Sequence, residues 1–239
     1  MSSSEGIIMK DRDESTVITI LYDHESTDEK LITDWGVSIH VKRGEKDILF
    51  DVGKDKNILL HNMDVLDIEK EDIDAIVISH RHWDHFGGLT AFEDREDIKI
   101  YVPNSLAKRI KEEFDLSGEI IPVKDRKEIF EGIYSTGELG RAIKEQSLFI
   151  DGKDGVYILT GCGHPGIKKI VKKGLEISKV RGVIGGYHGF DDLEFIAQIY
   201  RCERPPLLVP CHCSILSKKL KDRYPDSYKE CKIGSKFKI

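Results

Sequence analysis

Ser79-His80-Arg81-His82-Trp83-Asp84-His85-Phe86-Gly87-Gly88 places three histidines and one aspartate within six positions. The run just before it, Ala75-Ile76-Val77-Ile78, is apolar and mostly β-branched, so it reads as a buried strand. Gly87-Gly88 follows, and then a short helical pattern carrying Leu89, Ala91 and Phe92. The polar residues therefore fall where a strand ends and the backbone turns. His80 and His82 leave the strand end on one side, and Asp84 and His85 face them from the turn. One cluster split into two pairs suits one or two cations that take imidazole nitrogen and carboxylate oxygen. A lone histidine beside a strand needs no ligand to explain it, but four such groups are more than folding requires.

Upstream, Thr16 to Tyr22, Trp35 to Val41 and Asp47 to Asp51 read as three strands joined by short polar loops, which indicates hairpins. Ile58, Leu59, Met63 and Leu66 give a helical face leading into the histidine-bearing strand. Downstream, Ile98 to Val102 is a strand stopped by Pro103, and Asn104 or Ser105 caps a helix carrying Leu106, Ile110 and Phe114. Ile120 to Val123 and Glu128 to Tyr134 read as further strands. Gln146 to Ile150 and Val156 to Thr160 form a pair turning at Asp151-Gly152. From Pro165 the pattern changes to helix (Ile167, Ile170, Val171, Leu175), strand (180–184), helix (Leu193, Ile196, Ala197, Tyr200) and strand (207–209). Hairpins followed by alternating helix and strand fit two sheets, each covered by helices.

Three later segments end strands and carry chemistry. Thr160-Gly161-Cys162-Gly163-His164-Pro165-Gly166 opens a helix, with Pro165 suited to its first position. Its N–H groups could meet a substrate phosphate at Gly166, and Lys168 and Lys169 are either near that phosphate or a solvated face. Gly185-Gly186-Tyr187-His188-Gly189 offers His188 as a ligand or as a proton donor to substrate, with Gly186 letting backbone approach a ligand closely. Val209-Pro210-Cys211-His212-Cys213 presents His212, and Cys211 and Cys213 flank it as small packing residues. His24, His40 and His61 read as structural.

The His-x-His-x-Asp-His run resembles the signature of the metallo-β-lactamase superfamily. Gly161-Cys162-Gly163-His164-Pro165-Gly166-Ile167, Gly185-Gly186-Tyr187-His188 and Pro210-Cys211-His212-Cys213 resemble the branch that includes the dihydropterin-ribofuranosylaminobenzene phosphate synthases. The resemblance implies an αββα four-layer sandwich. It implies a metal set of His80, His82, Asp84, His85, Cys162, His164 and His212, with one or two zinc ions, or iron, manganese or magnesium instead. Asp51, in Phe50-Asp51-Val52-Gly53, resembles the superfamily aspartate that buttresses the metal loop. Cys162 stands where the superfamily usually has a metal-bridging aspartate. The superfamily histidine usual between His85 and His164 has no counterpart at Ser135-Thr136-Gly137-Glu138-Leu139, so that coordination must be completed elsewhere. The branch implies an alkyl transferase releasing diphosphate from a phosphorylated small molecule, with Asp84 and His188 as catalytic groups. A metallo-hydrolase of a phosphodiester, lactone or thioester is the second reading, and a non-catalytic metal or redox sensor the third.

At 239 residues and 39% hydrophobic content the chain can bury one core, so we expect a single domain over 1–239 with 1–15 as a frayed tail. A net charge of -6 argues against general binding to nucleic acid or anionic membranes. The apolar runs are too short to span a bilayer, and Met1-Ser2-Ser3-Ser4-Glu5 does not start a signal peptide. Five cysteines without framework spacing suggest reduced thiols in a cytoplasmic protein. An oligomer is compatible with all of this.

Overall fold

Inward-facing residues two apart set the architecture. Ile18 and Ile20 on β1 (Thr16–Tyr22) face Val41 and Ile39 on β2 (Ser38–Arg43), and all four are fully buried. This computed structural model describes residues 15–200 and 204–239, so nearly all of the expected tail, and Cys202, lie outside the described residues. β3 (Lys46–Phe50) completes an antiparallel meander. β4 (Ala75–Val77), β5 (Lys99–Pro103) and β6 (Glu119–Val123) then add in parallel, with α1 (Lys56–Val65), α2 (Trp83–Phe86) and α3 (Asn104–Glu113) along the connections.

The second sheet begins with four antiparallel strands: β7 (Lys127–Phe130), β8 (Ile133–Ser135), β9 (Leu148–Gly152) and β10 (Gly155–Thr160). α4 (Ile167–Leu175) and α5 (Leu193–Tyr200) are the crossovers that bring β11 (Val180–Gly186) and β12 (Leu207–Cys211) in parallel to β10. After α6 (Ser217–Arg223), β13 (Lys236–Lys238) returns to pair antiparallel with β1. The sheet orders are β13-β1-β2-β3-β4-β5-β6 and β12-β11-β10-β9-β8-β7.

Three apolar clusters show the layering. Ile18, Ile39, Ile48 and Val77 of the first sheet pack with Ile133, Ile150, Leu159 and Val209 of the second. On the outer face of the first sheet, Leu49, Ile76 and Ile100 meet Leu59, Met63, Leu106 and Ile110 from α1 and α3. On the outer face of the second, Ile158 and Val183 meet Ile167, Ile170, Ile196 and Leu220 from α4, α5 and α6. The result is the expected αββα sandwich. Among the described residues no helix is long and apolar enough to cross a membrane.

Several local expectations change. Glu128 to Tyr134 is a hairpin rather than one strand, because Gly132 at φ 76° turns the chain between β7 and β8. Asp151 and Gly152 remain in β9, so the turn to β10 comes after them. α3 starts at Asn104 with Pro103 as its cap residue and no side-chain cap bond. α4 starts at Ile167 with Gly166 as its cap residue, which leaves Pro165 outside the helix. The second strand begins at Ser38, so Trp35 sits in the preceding loop. Cys211 and Cys231 are disulfide-bonded, with Cα atoms 5.2 Å apart, against the expectation of free thiols at these two positions. The pairing joins β12 to the C-terminal segment, and spacing alone does not reveal it. α6 and β13 also carry no clear periodic signal.

Candidate metal centre

The carboxyl ends of β1, β3, β4, β10, β11 and β12 open on one edge of the sandwich, where ligands gather in sheets of this kind. Asp51, just past β3, is fully buried at φ 59°. Its Oδ1 accepts the Ser79 N–H at 2.6 Å, and its Oδ2 accepts the Ser79 hydroxyl at 2.7 Å and lies 2.7 Å from His85 Nδ1. With Nδ1 donating there, His85 Nε2 is bare and points at Cys162 Sγ, 3.3 Å away. Burial lowers the His85 pKa, but the Asp51 charge and hydrogen bond outweigh it and raise the ring above its ordinary value.

Ser79 Oγ also lies 2.9 Å from His80 Nδ1. Since its own proton goes to Asp51, it accepts from His80, which leaves His80 Nε2 bare and 2.9 Å from His82 Nδ1. His164 Nε2 approaches the same His82 atom at 3.3 Å. Burial, then the neighbouring imidazoles, push His80 well below its ordinary pKa, and the same causes bring His164 to about 4. Both rings are therefore neutral near pH 7, with lone pairs directed into the cluster.

The loop carrying Cys162 and His164 is shaped by Glu145, which is fully buried. Its Oε1 accepts the Thr160 hydroxyl at 3.1 Å and the N–H groups of Cys162 and Gly163 at 3.1 and 2.8 Å; its Oε2 accepts His164 N–H at 2.9 Å. Burial pushes the Glu145 carboxyl up, and the N–H donors pull it back. Gly186 makes the loop fit: a Cβ there would sit 2.4 Å from Gly161 O and 2.8 Å from Cys162 Cα. The close approach seen at Gly186 is to this loop.

His212, at φ 52°, is held by its N–H to Asp23 Oδ2 at 3.0 Å. Its Nε2 lies 3.1 Å from Asp84 Oδ2, which is 3.7 Å from His85 Nε2. Burial would raise Asp84, but its hydrogen bond to His212 and the nearby imidazoles hold it at about 2. Cys213 faces Cys162; the hydrogen bond between the two thiols, together with burial, raises the Cys162 thiol, and the same bond lowers the Cys213 thiol against its own burial. His188, exposed and at φ 45°, has its ring tilted against the His164 ring, with centroids 4.7 Å apart. Asp51, His188 and His212 are three of the four non-glycine residues with positive φ among those described, a conformation that survives where the surroundings enforce it.

Two donor sets result. His80, Cys162 and His164 offer ligand atoms all within 4.8 Å of one another, and so do His85, Cys162 and His212. His82 joins the first set and Asp84 the second through the contacts above. The donor set fits cations: several neutral imidazole nitrogens, a thiol and a carboxylate converge with too few protons to bond one another. His212 Nδ1 is buried without a hydrogen-bond partner. The carboxylates of Asp23, Asp51, Asp84 and Glu145 are partnered by backbone amides, hydroxyls, imidazoles and thiols, and among the described residues no lysine or arginine pairs with them. Divalent cations would balance their charge.

The family model for the metallo-beta-lactamase superfamily matches residues 32–172. The chain belongs to the metallo-β-lactamase superfamily. It is 32% identical over 196 residues to a 7,8-dihydropterin-6-methyl-4-(beta-D-ribofuranosyl)-aminobenzene-5'-phosphate synthase of Methanocaldococcus jannaschii, covering 62% of this chain and 67% of the relative. Among solved structures it resembles Tm1679, described as a metal-dependent hydrolase of the beta-lactamase superfamily, with a TM-score of 0.75 and 22% identity, covering 94% of this chain and 99% of the other. It also resembles a diphosphatase of the PhnP family, with a TM-score of 0.67 and 15% identity over 94% and 97% of the two chains. At these identities the two structures speak for the fold. Membership in this superfamily implies metal ions at the edge just described.

The structure gathers His80, His82, Asp84, His85, Cys162, His164 and His212 in one cluster. His164 stands against His80 and His82, where the sequence lacks a loop histidine, so one short segment supplies both the thiol and the extra imidazole. Gly166 is exposed, with open space where a Cβ would be. Lys168 is ion-paired with Asp192 rather than free for a phosphate. His40 bonds Asp47 at 2.6 Å and His61 bonds Lys30 O at 2.7 Å, both away from the cluster. Sequence reasoning missed Asp23, Ser79 and Glu145, which act through hydrogen bonds to other residues and carry no motif of their own.

Proposed function

We propose that the protein is a metal-dependent alkyl transferase acting on a phosphorylated, pterin-like small molecule with release of diphosphate. The identity to the M. jannaschii synthase is the observation that carries this reading. The donor set supports it: the group shared by both sets is a buried cysteine sulfur, not a carboxylate with a second oxygen to orient an attacking water. Zinc is the cation that best suits this mixture of imidazole, thiolate and carboxylate.

His80, His82 and His164 would hold one ion, and His85, Asp84 and His212 a second, with Cys162 between them. Bound there, the cations would supply positive charge to the oxygens of the departing diphosphate. The chain's own residues do the rest. Asp51 and Ser79 fix which nitrogen of His80 and His85 faces the cluster. Gly166 leaves the start of α4 open, so that helix presents its first N–H groups beside His164 for a phosphate oxygen. In the reaction the aromatic amine nitrogen bonds the methylene carbon as the carbon–oxygen bond to diphosphate breaks, and the nitrogen sheds a proton. His188, exposed and beside His164, would take it.

The test supplies the purified protein with dihydropterin methyl diphosphate, with and without the ribofuranosylaminobenzene phosphate. Diphosphate release that requires the amine supports the transferase. Release at the same rate without it would instead establish a hydrolase, and no release under either condition would overturn both.

A further inference from the structure

The exposed apolar side chains are unevenly placed. Among the described residues five large hydrophobics are exposed: Ile32, Trp35, Trp83, Leu175 and Ile215. Trp83 lies between the candidate ligands His82 and Asp84, Ile215 follows His212 by three residues, and Ile32 shares a loop with Trp35. Only Leu175 belongs to a distant element. Exposed apolar surface gathered around a cluster of polar groups marks a place where a ligand is covered.

Trp35 stands out within this group. Trp83 is 48% exposed, but its ring stacks on Phe114 at 5.9 Å and meets Phe86 edge-on at 5.3 Å, so packing accounts for it. Trp35 is 51% exposed and its ring partners are two histidines, His212 at 4.4 Å and His24 at 6.1 Å. Its mount is stiff. Asp34 Oδ1 accepts the Trp35 N–H at 2.7 Å, and Asp34 Oδ2 accepts the Tyr22 hydroxyl at 3.1 Å. Gly36 follows at φ 151°, and a Cβ there would sit 2.6 Å from Asp84 O; Val37 N–H then bonds that same carbonyl at 3.2 Å. The backbone that carries the ring is therefore fixed relative to the candidate ligand loop, and the ring itself rests against His212 with half its surface in water.

We infer that Trp35 is a stacking platform for a flat heteroaromatic ring of the substrate, placed so that the ring lies against the indole while its charged substituent reaches the histidine cluster. This deepens the proposed function and rests on it for the choice of a pterin as first probe. A fixed indole is well suited to the task, because stacking on it orders little that is not already ordered. Stacking of a base on an aromatic side chain is worth about tenfold in affinity or more.

Calorimetric titration of the metal-loaded protein with pterin, adenosine monophosphate and inorganic diphosphate tests the inference in the wild type, Trp35→Phe and Trp35→Ala. Melting temperature and bound metal serve as controls for folding. Trp35→Ala should bind the flat ligand about tenfold more weakly, Trp35→Phe should stay within a few-fold of wild type, and diphosphate should bind all three alike. If Trp35→Ala keeps wild-type affinity for every flat ligand, or loses diphosphate to the same degree, Trp35 merely covers His212 and the inference falls. Trp35-dependent binding of adenosine monophosphate without any binding of pterin would uphold the platform while removing the pterin reading.

Discussion

Replacing Glu145 by glutamine tests whether a buried carboxylate sets the geometry of the cluster. The substitution keeps volume and removes charge. As the structure stands, four donors converge on the two carboxylate oxygens: one hydroxyl and the N–H groups of Cys162, Gly163 and His164. With its carbonyl oxygen at the Oε1 position, glutamine still accepts three bonds, now neutral. Each neutral bond is weaker than its charged counterpart by about 1 kcal/mol. The amide NH2 then meets the His164 N–H, donor against donor, which leaves a buried donor unsatisfied at a cost of about 1–3 kcal/mol. Removing a buried, unpaired charge gives part of this back, because the carboxylate is itself costly to desolvate. The balance is a loss of about 3 kcal/mol, or roughly 6–12 °C in melting temperature for a domain of this length.

The loss should also be local. His164 is the residue whose N–H is left facing a donor, so its segment shifts and the set formed with His80 and His82 is disturbed first. Calorimetry would give the melting temperature, and zinc titration against a competing chelator would resolve strong and weak sites. The expected variant melts lower and loses affinity at one site while the other, built on His85, Asp84 and His212, changes less. A variant that melts within 2 °C of wild type and titrates identically would refute the reasoning, since the carboxylate would then be dispensable to the loop it bonds.

Other perturbations probe neighbouring parts. His188→Ala should leave metal content unchanged while slowing turnover by about 10²-fold or more, as expected for loss of a proton acceptor; loss of bound metal instead would make His188 a ligand. Gly186→Ala should lower the melting temperature and weaken metal binding, because its Cβ would displace Gly161 and Cys162; calorimetry and metal analysis would show this. In metal-stripped protein His164, with a folded pKa of about 4 against 6.5, must be protonated on unfolding in acid. Its contribution therefore destabilises progressively as pH falls below about 6.5 and levels off below about 4, and His164→Gln should flatten the melting curve against pH in that window. Asp51→Asn acts with the opposite sign through His85, whose pKa is raised. The stabilisation it removes is full below about pH 6.5 and fades as pH rises through the folded value, so the metal-stripped variant should differ most from wild type in acid.

How much of this could be read beforehand depends on whether a residue acts by type and spacing or only through contact. The strand ahead of His80 was legible because Ile76, Val77 and Ile78 have no reason to be contiguous except burial, and the sandwich followed from hairpins giving way to helix–strand alternation. The histidines were legible because imidazoles at strand ends are rare without a purpose. Glu145 was not. In Lys144-Glu145-Gln146 it looks like any surface acid, and only the fold shows that its segment bridges to His80 and lies beneath the Thr160–His164 backbone. Asp23 was missed for the same reason: it meets His212 across 189 positions of sequence, and no periodicity links them. Gly186 shows a subtler limit. A glycine beside chemistry marks a close approach, and the backbone that comes close here is the adjoining loop's own. Sequence told where backbone must come close; what came close was decided by the third dimension. The same distinction explains why Cys162 was recognised as a candidate ligand while its place between both donor sets emerged only when β4, β10 and β12 were brought to one edge.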